Sequence, residues 1–386
     1  MSIREEEIKT AQEAVEEISE GRLATQEMIL NVGPQHPATH GVFRLLATID
    51  GEKLVHAEPI IGYMHRGYEK LVEARDYRQI TNLVSRMDWL SGINNELPLA
   101  IAVETLMELE VPPRAQYLRV IMCEMNRILN HLMFFASFGA ELGAITPTFY
   151  AFREREDIQF AMEMATGGRM HFGYFRPGGL KEDVPRGFID QALKGVRQVM
   201  AHLDDYENLL IGNEIFKQRT VNVGVLPKDV AFSYGVSGPI ARGSDIDFDV
   251  RKDEPYLVYD HFDFDVPSAP NGDCFDRFWV LVHEVVESAK IVEQAVEGLP
   301  SGPVVGKVPR VVQAPKGEVY VRCENSLGEL GMYLVSDGDR RPYRLKIRTP
   351  SYSNVSALPY VLENTYVADM IAILGSFFFV LGDIDR

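Results

Sequence analysis

Hydrophobic and polar residues form short β-type patterns near the start of the chain. Residues 28–32, 42–49 and 53–59 are short runs rich in β-forming side chains, and runs of this length are typical of strands. An Asp50-Gly51 pair between the second and third runs predicts a tight hairpin turn. The sequence therefore predicts β hairpins in this region.

Helical periodicity then dominates as far as residue 216. Apolar residues recur at three- and four-residue spacing over 81–109, 115–142 and 188–216, which predicts long amphipathic helices. A further helix is predicted over 154–165 with its end at Gly167-Gly168, followed by a turn at 176–179. Residues 220–266 are irregular, and residues 275–296 return to a helical pattern.

The end of the chain combines β runs with an apolar segment. Residues 317–347 predict strands around a turn at 336–338, and residues 367–381 predict a buried helix or strand. The order of elements predicts an α+β fold with a central helical bundle and β segments near both ends. We predict an acidic N-terminal helix or arm over 1–25 and one domain over 26–386. That domain divides into β hairpins at 26–60, a helical core at 65–216, an irregular and helical part at 217–300, and β runs with the buried terminal segment at 301–386.

Composition narrows the classes of partner. The chain has 386 residues, 46% of them hydrophobic, which is enough for a large core. Its formal net charge of -17 argues against nucleic acid, because phosphate binding needs clustered Lys and Arg. The most apolar stretch, 370–382, is shorter than the roughly 20 residues that span a bilayer. We expect a soluble protein, or one held at a membrane by its partners.

The sequence also predicts that this chain by itself binds no cofactor. The three cysteines are scattered and form no Cys-x-x-Cys pair, so this chain cannot supply the four thiolates of an iron–sulfur cluster. Any cluster that it uses must belong to a partner. The chain has no Gly-rich dinucleotide motif and no Walker loop. The alternating aspartates of residues 245–249 lack the Gly and Glu of a calcium loop and predict an exposed strand or loop.

Ionisable residues interrupt the apolar pattern of the helix predicted over 115–142. Glu124, Arg127 and His131 follow helical spacing and share a stripe with Glu141. Burying such groups is costly unless they pair or perform chemistry. Two interpretations stay open, a buried polar site and a structural ion-pair network between helices or subunits.

Two histidines lie in a loop that prolines stiffen. Pro34 and Pro37 prevent a regular helix there, so His36 and His40 should project from the loop. A histidine in such a turn can serve a binding site or can simply bond the backbone. The residues alone leave both interpretations open.

Several segments resemble consecutive signatures of one family, the D subunit of proton-translocating NADH:quinone oxidoreductase (respiratory complex I). The resemblance spans residues 26–386 in order, which is too extensive for a chance motif match. The segments are Asn31-Val-Gly-Pro-Gln-His-Pro-Ala-Thr-His-Gly41, His65-Arg-Gly-Tyr-Glu-Lys70, Arg153-Glu-Arg155, Gly168-Arg-Met-His171, Arg176-Pro-Gly-Gly179, Glu329-Leu-Gly-Met-Tyr-Leu-Val-Ser-Asp-Gly338, Arg348-Thr-Pro-Ser351 and Leu381-Gly-Asp-Ile-Asp-Arg386.

The resemblance implies the fold of the large subunit of nickel–iron hydrogenases with the nickel site lost. Hydrogenases hold nickel through two Cys-x-x-Cys motifs near the chain ends. The corresponding regions here, around Arg66-Gly67 and at 383–386, contain no cysteine. Hydrogen activation is therefore excluded on ligand grounds, and no metal is expected in this chain.

The family's function implies a set of partners. In this family, the cavity that corresponds to the nickel site of hydrogenases receives the quinone headgroup at the interface with the B subunit. The terminal 4Fe-4S cluster of the B subunit delivers the electrons. Quinone reduction is coupled to proton translocation. FMN and NADH bind to other subunits. The expected neighbours are the B and C subunits and the H subunit, which forms the quinone channel in the membrane. The chain would lie on the cytoplasmic side of the cell membrane as a peripheral subunit.

Family positions also imply roles for individual residues at the headgroup. His40 matches the headgroup-binding histidine, with His36 beside it in the same loop. Glu141 stands at a position usually occupied by Asp, whose carboxylate couples to that histidine. Trp89 stands where the family usually has Tyr, and an indole cannot release a proton as a phenol can.

Three basic residues match family positions close to the cluster of the B subunit. Arg66 and Arg86 would stabilise the reduced cluster, and His171 would couple its potential to pH. Two alternatives remain. The chain could be a scaffold without headgroup chemistry, which Trp89 favours, or the same module in a sister complex with ferredoxin as donor.

Overall fold

The computed structural model describes residues 27–34 and 41–386. The predicted acidic arm over 1–25 lies outside the described residues, and so do His36 and His40. Within the described part, helices form the centre and three small antiparallel sheets lie around it. The mixed α+β composition predicted from the sequence is confirmed.

The first sheet contains the hairpins predicted near the start of the chain. Strands β1 (Glu27–Val32), β2 (Arg44–Asp50) and β3 (Lys53–Ile60) pair in the order β1-β2-β3. Strand β2 buries every second side chain, because successive residues of a strand point to opposite faces. Gly51 adopts a positive φ of 60° in the turn between β2 and β3, as that turn requires.

Long helices build the core. Helix α4, residues Pro113–Glu141, is buried over most of its length and packs against helices on several sides. The α-helices up to residue 297 are α1 (Tyr68–Val72), α2 (Tyr77–Val84), α3 (Gly92–Met107), α4, α5 (Thr146–Thr166), α6 (Phe188–Ala201), α7 (Leu203–Tyr206), α8 (Glu214–Thr220), α9 (Lys228–Ser233), α10 (Pro239–Arg242), α11 (Val250–Asp253) and α12 (Cys274–Glu297).

The C-terminal part returns to the core through short helices. Strands β4 (Phe175–Arg176) and β5 (Gly179–Leu180) form a small hairpin, and β6 (Gly317–Asn325), β7 (Gly328–Ser336) and β8 (Arg344–Arg348) form a sheet in that order. The remaining helices are α13 (Pro350–Ser356), α14 (Leu358–Leu362), α15 (Val367–Ser376) and α16 (Leu381–Asp385). The apolar terminal segment is buried, as predicted.

The prediction of one continuous helix over 81–109 is wrong. The chain leaves helical structure at 85–91, between α2 and α3. Asn126 of α4 stabilises this interruption, because its amide donates to the Leu90 carbonyl at 2.7 Å and accepts from the Ile93 amide at 3.1 Å. These bonds satisfy backbone groups that the interruption exposes, and they come from a residue distant in sequence.

Other helix boundaries also differ from the prediction. The segment predicted as one helix over 188–216 is divided among α6, α7, a π-helical turn and α8, whose first turn is capped by the Asn213 side chain. Helix α5 begins earlier than predicted and ends at Gly167, in the left-handed conformation. Asp249, expected on an exposed strand or loop, is fully buried against Arg251 at 2.7 Å. Among the described residues, no helix combines the length and apolar character needed to cross a bilayer.

Candidate functional site

A cavity of about 900 Å³ opens where α4, the α2–α3 connection and the C-terminal segment meet. One face of α4 contributes side chains at helical spacing, so they line the same wall. The lining residues are Gly41, Met64, Arg66, Arg86, Met87, Trp89, Leu90, Met133, Phe134, Ser137, Ala140, Glu141, His171, Ile371, Phe379, Val380, Leu381 and Gly382.

Five of the residues singled out in the sequence lie together on this wall. They come from four separate regions of the chain, and the fold brings them to one space: Arg66, Arg86, Trp89, Glu141 and His171. His36 and His40 lie outside the described residues. Gly41, which follows His40 directly in the chain, lines the cavity.

The loop that carries Arg66 is tied to the C-terminus. The Asp385 carboxylate accepts hydrogen bonds from the backbone amides of Gly62 at 2.8 Å and Met64 at 2.7 Å, and the His65 ring contacts the Asp385 carbonyl at 2.7 Å. Because a carboxylate only accepts, it satisfies two loop donors at once. The C-terminal motif thus positions Arg66 at the cavity.

Trp89 belongs to the interruption between α2 and α3 and is 37% exposed. If the helix continued through residues 85–91, the direction of the Trp89 side chain would be set by the helical register and not by the bend. Asp88 fixes the local turn, since its Oδ1 accepts from the Leu90 amide at 2.9 Å. Asn95 also donates to the Asp88 carbonyl at 3.1 Å. The bent backbone holds the indole at the cavity wall.

Glu141 is the last residue of α4 and faces the cavity beside α15. Gly375 of α15 makes this approach possible, because a methyl group built on Gly375 would overlap the Glu141 carboxylate. A side chain of any size at 375 would displace one of the two helices or the carboxylate. The absence of a Cβ therefore sets the position of Glu141.

Arg86 and His171 lie next to each other on another part of the wall. Arg86 donates from Nη1 to the Asn82 carbonyl at 2.6 Å, and the His171 ring nitrogen Nδ1 donates to the Ser85 carbonyl at 3.3 Å. Burial lowers the pKa of His171 below its ordinary value. The Ser85 carbonyl raises it in part, and the positive charge of Arg86 lowers it again. His171 is thus neutral more often than a free histidine.

Behind the wall lie two carboxyl groups to which sequence reasoning gave no role, although Asp383 falls in a segment quoted for the resemblance and Asp88 directly precedes Trp89. Asp88 and Asp383 are fully buried. Burial raises the pKa of Asp88 to about 7, and the nearby charge of Asp383 contributes. Burial likewise raises the pKa of Asp383 to about 6. The available signal was an acidic residue between apolar neighbours in each segment.

Glu124, Arg127 and His131 belong to a buried ion-pair network within this chain. Arg127 pairs with Glu124 at 3.1 Å, and His131 Nε2 contacts Glu284 at 2.9 Å. The remaining pairs of the network are Arg251–Glu124, Arg251–Asp249, Arg242–Asp249, Arg242–Glu284 and Arg242–Glu324. Of the two interpretations, the ion-pair network between helices describes these three residues, while Glu141 lines the cavity.

The described part of the chain contains no candidate metal-binding site. No group of three or more His, Cys, Asp or Glu side chains is arranged there to hold an ion. The three cysteines, Cys123, Cys274 and Cys323, are buried free thiols. The polar and ionisable side chains at the cavity are two guanidinium groups, a carboxylate, a hydroxyl, an indole and an imidazole.

A family comparison agrees with the motifs found in the sequence. The family model described as "Respiratory-chain NADH dehydrogenase, 49 Kd subunit" matches residues 141–313 and 307–386. The chain belongs to this family.

Named relatives cover nearly the whole chain. The D 2 subunit of NADH-quinone oxidoreductase from Streptomyces griseus is 52% identical over 371 residues, covering 95% of this chain and 94% of the relative. The D 2 subunit from Salinispora tropica is 53% identical over 362 residues, 93% of each chain. The D subunit from Geobacillus kaustophilus is 50% identical over 364 residues, 94% of this chain and 99% of the relative. This chain is therefore a D-type subunit of a multisubunit oxidoreductase, and its partners are other subunits of that complex.

Proposed function

We propose that this chain forms a quinone headgroup site together with the B subunit, and that the quinone takes electrons from the terminal 4Fe-4S cluster of that subunit. One observation carries the proposal: the five described candidate residues line a single cavity of about 900 Å³. This volume lies in the range of small-molecule sites, which combine apolar walls with a few placed polar groups.

The walls suit a lipid-soluble acceptor with a polar head. Methionine, leucine, isoleucine, valine and phenylalanine make up half of the lining residues, and glycine and alanine add further apolar surface. These apolar surfaces favour an aromatic ring and an isoprenoid chain, because both leave water on binding. The polar groups are few, and they can orient the two quinone oxygens.

Quinone reduction takes two electrons and two protons, so the protein must stabilise negative charge on the quinone oxygens and supply protons. We propose that His40 binds the headgroup with His36 beside it, and that the Glu141 carboxylate stabilises the protonated form of His40 and returns its proton. Trp89 contributes an N–H donor to the headgroup but no proton. These roles rest on the family match and on the cavity position of Glu141, Trp89 and Gly41.

Arg66 and Arg86 are proposed to face the cluster of the B subunit. A guanidinium carries a positive charge, which stabilises a neighbouring group that gains an electron. His171 lies beside Arg86 and is proposed to couple the cluster potential to pH, because an imidazole changes charge near neutrality.

Replacing His171 by Met should remove the pH dependence of the terminal cluster's midpoint potential. In the parent complex, protonation of the imidazole on reduction gives a slope of up to about 59 mV per pH unit. Methionine fills similar space and cannot bind a proton. Potentiometric titration followed by electron paramagnetic resonance measures the slope. His202→Met, on a half-buried histidine that does not line the cavity, is the matched control. A slope that persists in His171→Met contradicts the assignment.

The proposed site itself is tested by filling it. Ala140 lines the cavity on an exposed position of α4, so Ala140→Phe adds a ring inside the space without disturbing the core. We expect at least about a tenfold loss of quinone reduction, while NADH still reduces the clusters. Ala201→Phe, at the exposed end of α6 and away from the cavity wall, is the control. Normal quinone reduction in both variants would exclude this cavity as the site.

The assembly around this chain is proposed from the same resemblance. The fold would be that of a hydrogenase large subunit with 26–386 as one domain. The B and C subunits and the membrane-embedded H subunit would be neighbours, with FMN and NADH bound elsewhere in the complex and this chain peripheral on the cytoplasmic side of the cell membrane. The scaffold alternative is favoured by Trp89 alone, and loss of quinone reduction in Ala140→Phe would exclude it. Identifying the flavin-bearing neighbour separates NADH from ferredoxin as donor.

A further inference from the structure

Asp88 and Asp383 are both fully buried beside residues of the cavity wall. Asp88 stands between the wall residues Met87 and Trp89, and Asp383 follows the wall residue Gly382. The two backbones are in close contact, because a Cβ built on Gly382 would lie 2.5 Å from the Met87 carbonyl oxygen. The fold therefore brings together the two backbone segments that carry Asp88 and Asp383, which are distant in the sequence.

Each carboxyl group is satisfied on one side only. Asp88 Oδ1 accepts from the Leu90 amide at 2.9 Å, and Asp383 Oδ2 accepts from the Ser351 amide at 3.0 Å. The other two oxygens, Asp88 Oδ2 and Asp383 Oδ1, are buried and have no hydrogen-bond partner among the described residues. Two buried negative charges at close range repel, so such a pair retains one proton between them.

The charged and polar groups around the pair fit a single shared proton. Arg348 and Arg386 face Asp383 and lower its pKa, although burial outweighs them. Ser91 lowers the pKa of Asp88 in part, and its hydroxyl accepts a hydrogen bond from Asn130 at 2.9 Å. With cations on one side only, the pair keeps one negative charge and one proton near neutrality.

We propose that Asp88 and Asp383 form a proton-sharing pair that supplies one of the two protons taken up by the substrate in the cavity. This inference rests on the proposed quinone site and names a source for the proton that Trp89 cannot release. Gly382 places no side chain between its part of the wall and Asp383.

The step balances in protons and electrons. The quinone gains two electrons from the partner's cluster and one proton from the pair, which passes from the carboxyl O–H to a reduced quinone oxygen. The second proton comes from the His40 side. The pair is left with two negative charges and recovers its proton from water. Reprotonation is favourable because two buried negative charges at close range repel each other.

Asp88→Asn in the whole complex tests the proposal. The amide keeps the hydrogen bond from Leu90 and can donate to Asp383, so the fold is retained. At neutral pH we expect at least about a tenfold loss of quinone reduction, with electron transfer to an artificial acceptor of the upstream clusters unchanged. Asp76→Asn is the control, since Asp76 caps α2 on the surface and Asn caps equally well.

Asp383→Asn should change the pH profile. The parent rate falls as pH rises and the shared proton is lost. Without the charge of Asp383, Asp88 loses its proton at lower pH, so this alkaline limb moves toward acid. A purely structural pair would leave the limb in place, because the amide preserves the hydrogen bond. An unmoved limb therefore overturns the proposal.

Two further measurements keep the outcome clear. Trp89→Tyr adds a phenol that can release a proton, and it should restore part of the rate of Asp88→Asn. The infrared spectrum of the Asp383→Asn complex is subtracted from that of the parent complex. In this difference spectrum, a carboxylic acid C=O band should be present below neutral pH and absent above it. Absence of that band at all pH values overturns the pair even where quinone reduction is normal. Insensitivity to Ala140→Phe would instead overturn the quinone site.

Discussion

Glu141→Gln is expected to lower quinone reduction by about a hundredfold, while artificial acceptors still take electrons from the upstream clusters at the parent rate. The carboxylate is proposed to stabilise the protonated form of His40 and to return its proton, and an amide can do neither. The side chains are nearly equal in size, so the cavity and the contact with α15 are retained. Steady-state rates with quinone and with the artificial acceptor, measured on the same preparation, give the ratio.

Companion variants separate charge from position. Glu141→Asp restores the residue that this position usually has in the family and should keep most of the activity. Gly375→Ala keeps the Glu141 carboxylate but displaces it, because the added methyl group would overlap it. We therefore expect Gly375→Ala to cause part of the loss of quinone reduction expected for Glu141→Gln. Full quinone activity in Glu141→Gln would refute the proposed role, and equal loss in Glu141→Asp would show that geometry matters more than charge.

Arg242→Leu is expected to destabilise the chain by about 3–5 kcal/mol or more, since it leaves buried carboxylates without their cation. Arg242 is fully buried and donates from Nε to Glu284 at 2.9 Å and from Nη1 to Glu324 at 2.9 Å. Burial alone would raise the pKa of Glu284, but Arg242 and His131 outweigh it and lower that pKa to about 2. Thermal unfolding and the yield of assembled complex measure the effect.

The loss in Arg242→Leu should depend on pH in a defined direction. Without the guanidinium, the pKa of Glu284 should rise from its lowered value, and the pKa of Glu324, which burial already raises to about 7, should rise further. The folded variant then binds protons that the unfolded chain releases, so its stability falls as pH rises from acid toward neutral. Arg197→Leu, which breaks only the surface pair with Glu293 at 3.1 Å, is the control and should cost less than about 1 kcal/mol. Equal stability of the two variants would contradict the network's importance.

Most regular elements followed from the sequence because they depend on local pattern. The apolar stripe of α4 predicted its bounds within two residues at each end, and the Asp50-Gly51 turn predicted the first hairpin. Strand β2 alternates because one of its faces meets the core. Side-chain period and turn chemistry act within a few residues, so they can be read without knowing the path of the chain.

Element breaks were harder to predict because their stabilising partners are remote. The interruption between α2 and α3 looks helical in the sequence, and Asn126 stabilises it from another helix. Its consequence is functional, since it carries Trp89 to the cavity and Asp88 behind the wall. Local pattern contains no information about a hydrogen bond made across the core.

The sequence by itself determined the family, the mixed helix and strand composition, and the identity of the candidate residues through their motifs. Only the tertiary structure decided which of them meet. It separated Glu141, at the cavity, from Glu124 and His131, in the ion-pair network, although all lie on one helix. It also brought the segments that carry Asp88 and Asp383 together. The physical reason is that the free energy of a buried charge depends on its neighbours in space, and the chain path that supplies them is long-range.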